Sequence, residues 1–264
     1  MPNVDKHSPG SFCWFELATT DQSAAKNFYT SLFGWTVEDS PMGTNGYYSM
    51  FSLDGRHVGA AYTLQADQQA QGVPPNWGLY VAVENANAAA QRATELGGQL
   101  FCPPFDVAEH GRMAVIADPT KAIFSIWQPK QHSGVGVTGV DGTVCWADLS
   151  TSNTGAAKDF YSSLFGWQIK PGEHDSSGYL HIFNGDTGIG GITPAQMRDP
   201  QAPPHWMLYF LVSDCGAAFE KAKSLGANVI MPTSQIPNVG SMAILKDPQG
   251  AVFALFQPST SSRA

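Results

Sequence analysis

Two short segments carry the residue types best suited to chemistry. Residues 12–18 read FCWFELA, and a strand there puts Trp14 and Glu16 on one face and Phe15 and Leu17 on the other. The same pairing recurs at Trp146 and Asp148. An indole beside a carboxylate can stack a flat organic molecule and meet its polar edge or positive charge. A carboxylate in such a dry place has its pKa raised, which suits general acid–base work. Spacing assigns no partner acid, nucleophile or oxyanion donor, so Glu16 and Asp148 are expected first as carboxylates solvated or hydrogen-bonded to their neighbours, with the general base as the alternative. Tyr80 and Tyr209 form a further matched pair on later strands.

The other chemistry-bearing types are less ordered. His7 and His132 fall in a tail and a linker, His57 and His174 in expected turns, His110 just before a glycine, and His205 just after Pro203-Pro204. A solvated or hydrogen-bonded role is expected for each. His181 is the exception kept as a catalytic candidate, because its strand can carry it inward; its counterpart in the other half is read as Ser49. The four cysteines, Cys13, Cys102, Cys145 and Cys215, form no CxxC pair and read as small buried hydrophobes. Fourteen Lys and Arg against 22 Asp and Glu give a net charge of −8, with no basic run. Nucleic acid and anionic membranes are therefore not expected as partners. No apolar stretch reaches bilayer-spanning length and the start lacks an apolar h-region, so a cytoplasmic location is expected.

The elements that must position these residues come from an internal repeat. Residues 13–35, CWFELATTDQSAAKNFYTSLFGW, return at 145–167 as CWADLSTSNTGAAKDFYSSLFGW, with 14 of the 23 positions identical. Gly46-Tyr47 is aligned with Gly178-Tyr179, VPPNWGLYV (73–81) with APPHWMLYF (202–210), and ADPTKAIFSIWQP (117–129) with KDPQGAVFALFQP (246–258). Two copies of one unit follow: a tail at 1–10, domains at 11–130 and 142–258, a Gly/Ser/Val linker at 131–141, and a tail at 259–264. Within a copy, Asp21 caps a helix with a 3.6-residue apolar stripe that Gly34 closes. The predicted order is β-α-β-β-β twice per domain.

This order, with a helix ending FYxxLFGW and a closing DPxGAxFxxxQP, resembles the vicinal-oxygen-chelate superfamily of glyoxalase, bleomycin-resistance and extradiol-dioxygenase proteins, and more narrowly its tandem glyoxalase-like members. The resemblance covers about residues 11–258. It implies an α+β fold in which paired βαβββ modules form a curved half-barrel sheet with helices outside and a ligand in the concave cleft. It also implies a divalent metal held by His, Glu or Gln. Carried onto this chain, the metal-ligand positions fall at Trp14 and Trp146, near Gly78 and Met207, at Ser125 and Ala254, and within 59–62 and 190–193, where no ligand set is found. No metal and no cofactor are therefore expected. The cleft-facing positions become Trp14, Glu16, Gly78, Tyr80, Ser125 and Trp127 in the first domain, and Trp146, Asp148, Met207, Tyr209 and Phe256 in the second.

Two readings follow. One is a binding protein that captures a small aromatic or amphipathic molecule in its clefts, as resistance proteins of the superfamily do. The other is a metal-independent lyase, isomerase or hydroxylase-like enzyme using Glu16 or Asp148. The tryptophans can also simply fill the vacated metal cavity as core. A homodimer is kept open as a partner arrangement.

Overall fold

The alternating segment around Trp14 becomes strand β1 (Phe12–Thr19) in the computed structural model, which describes residues 3–43, 46–172 and 177–259. It is followed by α1 (Gln22–Phe33), β2 (Thr36–Pro41), β3 (Tyr47–Leu53) and β4 (Arg56–Thr63). After the short helix α2 (Ala66–Ala70), the second module gives β5 (Asn76–Ala82), α3 (Ala86–Glu95), β6 (Gln99–Val107), β7 (Gly111–Ala117) and β8 (Ile123–Pro129). The other half repeats the pattern as β9 (Val144–Ser150), α4 (Thr154–Phe165), β10 (Gln168–Pro171), β11 (Leu180–Asn184) and β12 (Thr187–Ile192). It ends with β13 (His205–Leu211), α5 (Cys215–Ser224), β14 (Asn228–Ile236), β15 (Gly240–Lys246) and β16 (Val252–Pro258).

The helix boundaries have local causes. Asp21 accepts a hydrogen bond from Ala24 N–H, and Asn153 does the same for Ala156 N–H, each satisfying an orphan donor of a first turn. Gly34 and Gly166 end the two helices at φ 73° and 74°, a left-handed conformation that costs glycine nothing.

Each half forms one eight-stranded sheet, ordered β2-β3-β4-β1-β5-β8-β7-β6 and β10-β11-β12-β9-β13-β16-β15-β14. The two modules of a domain meet where β1 pairs antiparallel with β5, and β9 with β13. One face of each central strand is buried under helices: Leu17, Leu79 and Ile126 in the first domain, Leu149, Leu208 and Leu255 in the second. The opposite, concave face is the cleft.

The repeated FYxxLFGW motif has a second task beyond its own helix. Tyr29 donates to Asp247 Oδ2 at 3.0 Å while accepting from Trp77 Nε1 at 2.9 Å, and Phe28 packs on Phe253 at 5.9 Å. In mirror image, Phe160 and Tyr161 pack on Phe124. Trp35 Nε1 donates to Gly142 O and Trp167 Nε1 to Gly10 O, each reaching the segment that enters the other domain's first strand. The motif thus welds the two sheets together.

The strand that starts at Gln99 runs past Cys102 to Val107, bulging around Pro103-Pro104. Two expectations need correction. Residues 131–137 are no free linker. Val135 N–H donates to Cys13 O, Gly136 N–H to His57 O and Val4 N–H to Gly136 O, so this segment lies as a strap across the first cleft. The alignment around Tyr47 is also one residue out. Glu16 lies beside Ala60 and Ala60 beside Met50, whereas Asp148 lies beside Gly191 and Gly191 beside His181. His181 therefore corresponds to Met50 rather than Ser49, and Tyr179 to Tyr48 rather than Tyr47. His174 falls outside the described residues.

Candidate functional site

Each cleft floor is built around one carboxylate. In the first, β1 and β5 pair Trp14 with Tyr80 and Glu16 with Gly78 on one face, as alternation requires. Tyr80 donates its hydroxyl to Glu16 Oε2 at 2.7 Å. Tyr48 on β3 receives the Trp14 Nε1–H at 2.9 Å and donates to Glu16 in turn. Burial raises the Glu16 carboxyl above its ordinary pKa, opposed by these two hydroxyl donors. Ser125 sits beside Tyr80 across the β5–β8 pair, and Trp127 meets the Tyr80 ring edge-on at 6.4 Å.

The second cleft repeats the clamp with a shorter acid. Asp148 lies beside Met207, and Tyr209 beside Trp146. Asp148 Oδ2 accepts from Tyr209 at 2.7 Å, and Oδ1 from Trp146 Nε1 at 3.0 Å and from the Tyr179 hydroxyl. Tyr179 also receives the Trp146 N–H at 2.8 Å. Burial again raises the carboxyl pKa, and the donors Tyr179, Tyr209 and Trp146 oppose it, with a smaller contribution from the charge of His181. The Tyr179 ring fits because Gly191 lies beneath it; a Cβ there would sit 1.9 Å from its hydroxyl oxygen. His181 flanks this network, its ring 5.0 Å from Tyr179 and 6.2 Å from Trp146. Phe256 is half-buried beside Met242.

The structure gathers Trp14, Glu16, Tyr80, Ser125 and Trp127 on one concave face, and Trp146, Asp148, Tyr209, Phe256 and His181 on the other. The third member of each clamp, Tyr48 or Tyr179, escaped sequence reasoning. The doublet Tyr47-Tyr48 faces a single Tyr179, and a one-residue deletion in the preceding loop hides which tyrosine matches. The remaining apolar lining is half-buried: Met50 and Met113 in the first cleft, Met207 and Met242 in the second. Among the described residues, no three His, Cys, Asp or Glu side chains converge as a metal site would need.

The mouths differ. In the first cleft His132, on the strap, packs edge-on against Trp14 at 4.4 Å, with His57 5.7 Å from it. Trp127 Nε1 donates to His132 O at 2.9 Å. Trp14 is 4% exposed as a result, while Trp146 is half-buried.

Two sheets of paired βαβββ modules, each with a hydrogen-bonded carboxylate on its concave floor, define a tandem cleft protein of the glyoxalase kind. The Glyoxalase/Bleomycin resistance protein/Dioxygenase superfamily matches residues 11–125 and 143–255, and the chain belongs to that superfamily. It is 39% identical over 98% of its length to a protein named putative glyoxylase CFP32 of Mycobacterium tuberculosis, covering 99% of that protein. It is 36% identical to the anthracycline biosynthesis protein DnrV of Streptomyces peucetius, covering 96% of this chain and 95% of that one. Among solved structures, a Mn(II)-bound glyoxalase from Novosphingobium aromaticivorans superposes with a TM-score of 0.66 at 13% identity, over 94% of this chain and 82% of that one. A 4-hydroxymandelate synthase mutant from Streptomyces coelicolor gives 0.65 at 12%, over 96% and 94%. These two likenesses concern the fold.

Proposed function

We propose that the chain is a metal-independent binding protein of the glyoxalase superfamily that takes a small aromatic or amphipathic molecule into its clefts. The observation that carries this reading is the floor of each cleft, where an indole and a clamped carboxylate sit among half-buried methionines and aromatics. Methionine fits guests of varied shape, and the indole offers a stacking face. The anthracycline-biosynthesis name of one relative makes a fused-ring aromatic a rational first guest.

A divalent metal does not fit this donor set. It needs several oxygen or nitrogen ligands converging on one point. Each floor offers a single carboxylate, and that carboxylate is already engaged by tyrosine hydroxyls, with the Trp146 N–H added in the second cleft. Metal analysis of dialysed protein, together with tryptophan-fluorescence titration against fused-ring aromatics, tests the proposal. Substoichiometric metal with saturable quenching supports it. One tightly held zinc, manganese, nickel or iron per domain overturns it.

A second reading is favoured by the raised pKa values of Glu16 and Asp148, which place each carboxyl closer to neutrality and make it a stronger base when ionised. On that reading the chain is a metal-independent lyase, isomerase or hydroxylase-like enzyme. Product formation from a cleft-binding aromatic, lost in Glu16→Gln or Asp148→Asn with binding retained, would select it.

A further inference from the structure

Once the register is corrected, four matched positions of the two clefts differ in a concerted way. The cross-strand pair Ser52 and His57 of the first domain becomes Phe183 and Gly188 in the second. The pair Glu38 and Met50 becomes Lys170 and His181. Directly opposed residues on adjacent strands point to the same face, so each pair acts as a unit on the cleft wall. The first change moves bulk from one strand to its neighbour. The second reverses the charge at the rim.

Both changes shape the surface beside Trp146. A Cβ built on Gly188 would lie 3.4 Å and 3.5 Å from the Trp146 ring and 3.6 Å from the Phe183 ring. The glycine therefore floors a trough between two aromatic side chains. At the matching place in the first cleft stands the His57 imidazole, 6.3 Å from Trp14, with His132 packed on the same indole. Along the trough, the His181 ring lies 6.3 Å from Phe183, and Lys170 holds its ammonium 4.9 Å above the Phe183 ring centre. Lys170 is exposed and opens to solvent at the rim. The Asp148 carboxylate lies beneath this surface, with three hydrogen-bond donors turned toward it.

We propose that this trough makes the second cleft alone a site for a planar aromatic anion, its ring laid over Gly188 between Trp146 and Phe183 and its acidic group at the rim beside Lys170 and His181. The inference rests on the reading of the clefts as binding sites, and it adds which cleft binds and what charge the guest carries. The aromatic contact supplies most of the affinity. The exposed ammonium, screened by water and salt, supplies a smaller preference for the anion.

The test uses two probes with one ring system and opposite charge, 2-naphthoate and 2-naphthylmethylammonium, titrated calorimetrically into the whole chain. One naphthoate per chain is expected, bound at least threefold tighter than the ammonium. Trp146→Ala and Gly188→His should each weaken naphthoate at least tenfold. In the first domain the matching histidine faces Ser52 rather than a phenylalanine, so circular dichroism checks that Gly188→His folds, and Trp146→Ala tests the same surface without added bulk. Lys170→Glu, on an exposed rim, should weaken naphthoate three- to tenfold and reverse the preference between the probes. Two equal naphthoate sites, a wild-type preference for the ammonium, or indifference to Lys170→Glu overturns this inference while leaving cleft binding in place. Binding of neither probe overturns both.

Discussion

The two clefts share a floor and differ at the mouth. Glu16 and Asp148 are clamped alike by tyrosines from the neighbouring strands, and Trp14 and Trp146 each donate an N–H to a tyrosine, Tyr48 on β3 or Tyr179 just before β11. Above that floor, His57 and His132 close over Trp14, while Gly188 sets no side chain against the Trp146 ring, which stays half-buried. The difference has a topological cause. The chain leaving β8 must travel to β9, and its route, pinned by Val135 and Gly136, crosses the first cleft. One indole has become core and the other has remained surface, although both occupy the same position of the repeat.

The largest expected effect separates those two fates. Trp14→Ala should cost ~3–5 kcal/mol of unfolding free energy, because a fully buried indole leaves a cavity that packed neighbours fill poorly. Trp146→Ala should cost roughly half as much, since part of its ring already faces solvent. Urea unfolding of both variants decides this. Equal losses would mean that the strap does not distinguish the two clefts.

A second pair of variants probes what the clefts share. Tyr80→Phe removes a donor to Glu16, and Tyr209→Phe removes one to Asp148. Leaving a buried carboxylate oxygen short of a donor costs about 1–3 kcal/mol. Similar losses are expected in both domains, with the elevated carboxyl pKa rising further as an opposing donor disappears. A loss confined to one domain would show that the clamps are not equivalent.

Much of this arrangement was legible in the residues themselves. The FYxxLFGW helix, its Asp21 and Gly34 ends, and the alternation that sets Trp14 and Glu16 on one face all follow from local periodicity and turn chemistry. Long-range features did not. Tyr48 joins the Glu16 clamp only because β3 pairs with β4 in a register that a one-residue deletion conceals. His132 reads as a linker residue because a Gly/Ser/Val segment carries no periodicity, and its path is dictated by backbone donors meeting Cys13 and His57 carbonyls far along the chain. The motif's inter-domain role was equally hidden, since an apolar helical stripe does not say which sheet it covers.

The smallest expected effect concerns the strap itself. Burial, then the charges of His57, His110 and His7, lower the His132 pKa to about 4 from an ordinary 6.5. The neutral imidazole is therefore favoured in the folded chain, while the unfolded chain takes up a proton near pH 6.5. Stability from this group is fully present above that pH and is lost as pH falls through 6.5 toward 4. With a discount for its partial exposure to water, the loss between pH 7 and pH 5 is ~1 kcal/mol. It should appear first as a fall in the protection factors of Val135 and Gly136, that is, exchange corrected for the intrinsic rate at each pH; their N–H groups hold the strap to Cys13 and His57. His132→Phe keeps the edge contact with Trp14 and removes the titration, so its protection factors should stay flat over the same range. The His181 ring lies 6.2 Å from Trp146, whereas the His132 ring lies 4.4 Å from Trp14; of the emission change that the seven tryptophans show across that interval, the part lost in Trp14→Phe should therefore exceed the part lost in Trp146→Phe. A parallel loss of protection in the wild type and in His132→Phe would place the control of the first cleft elsewhere than in this imidazole.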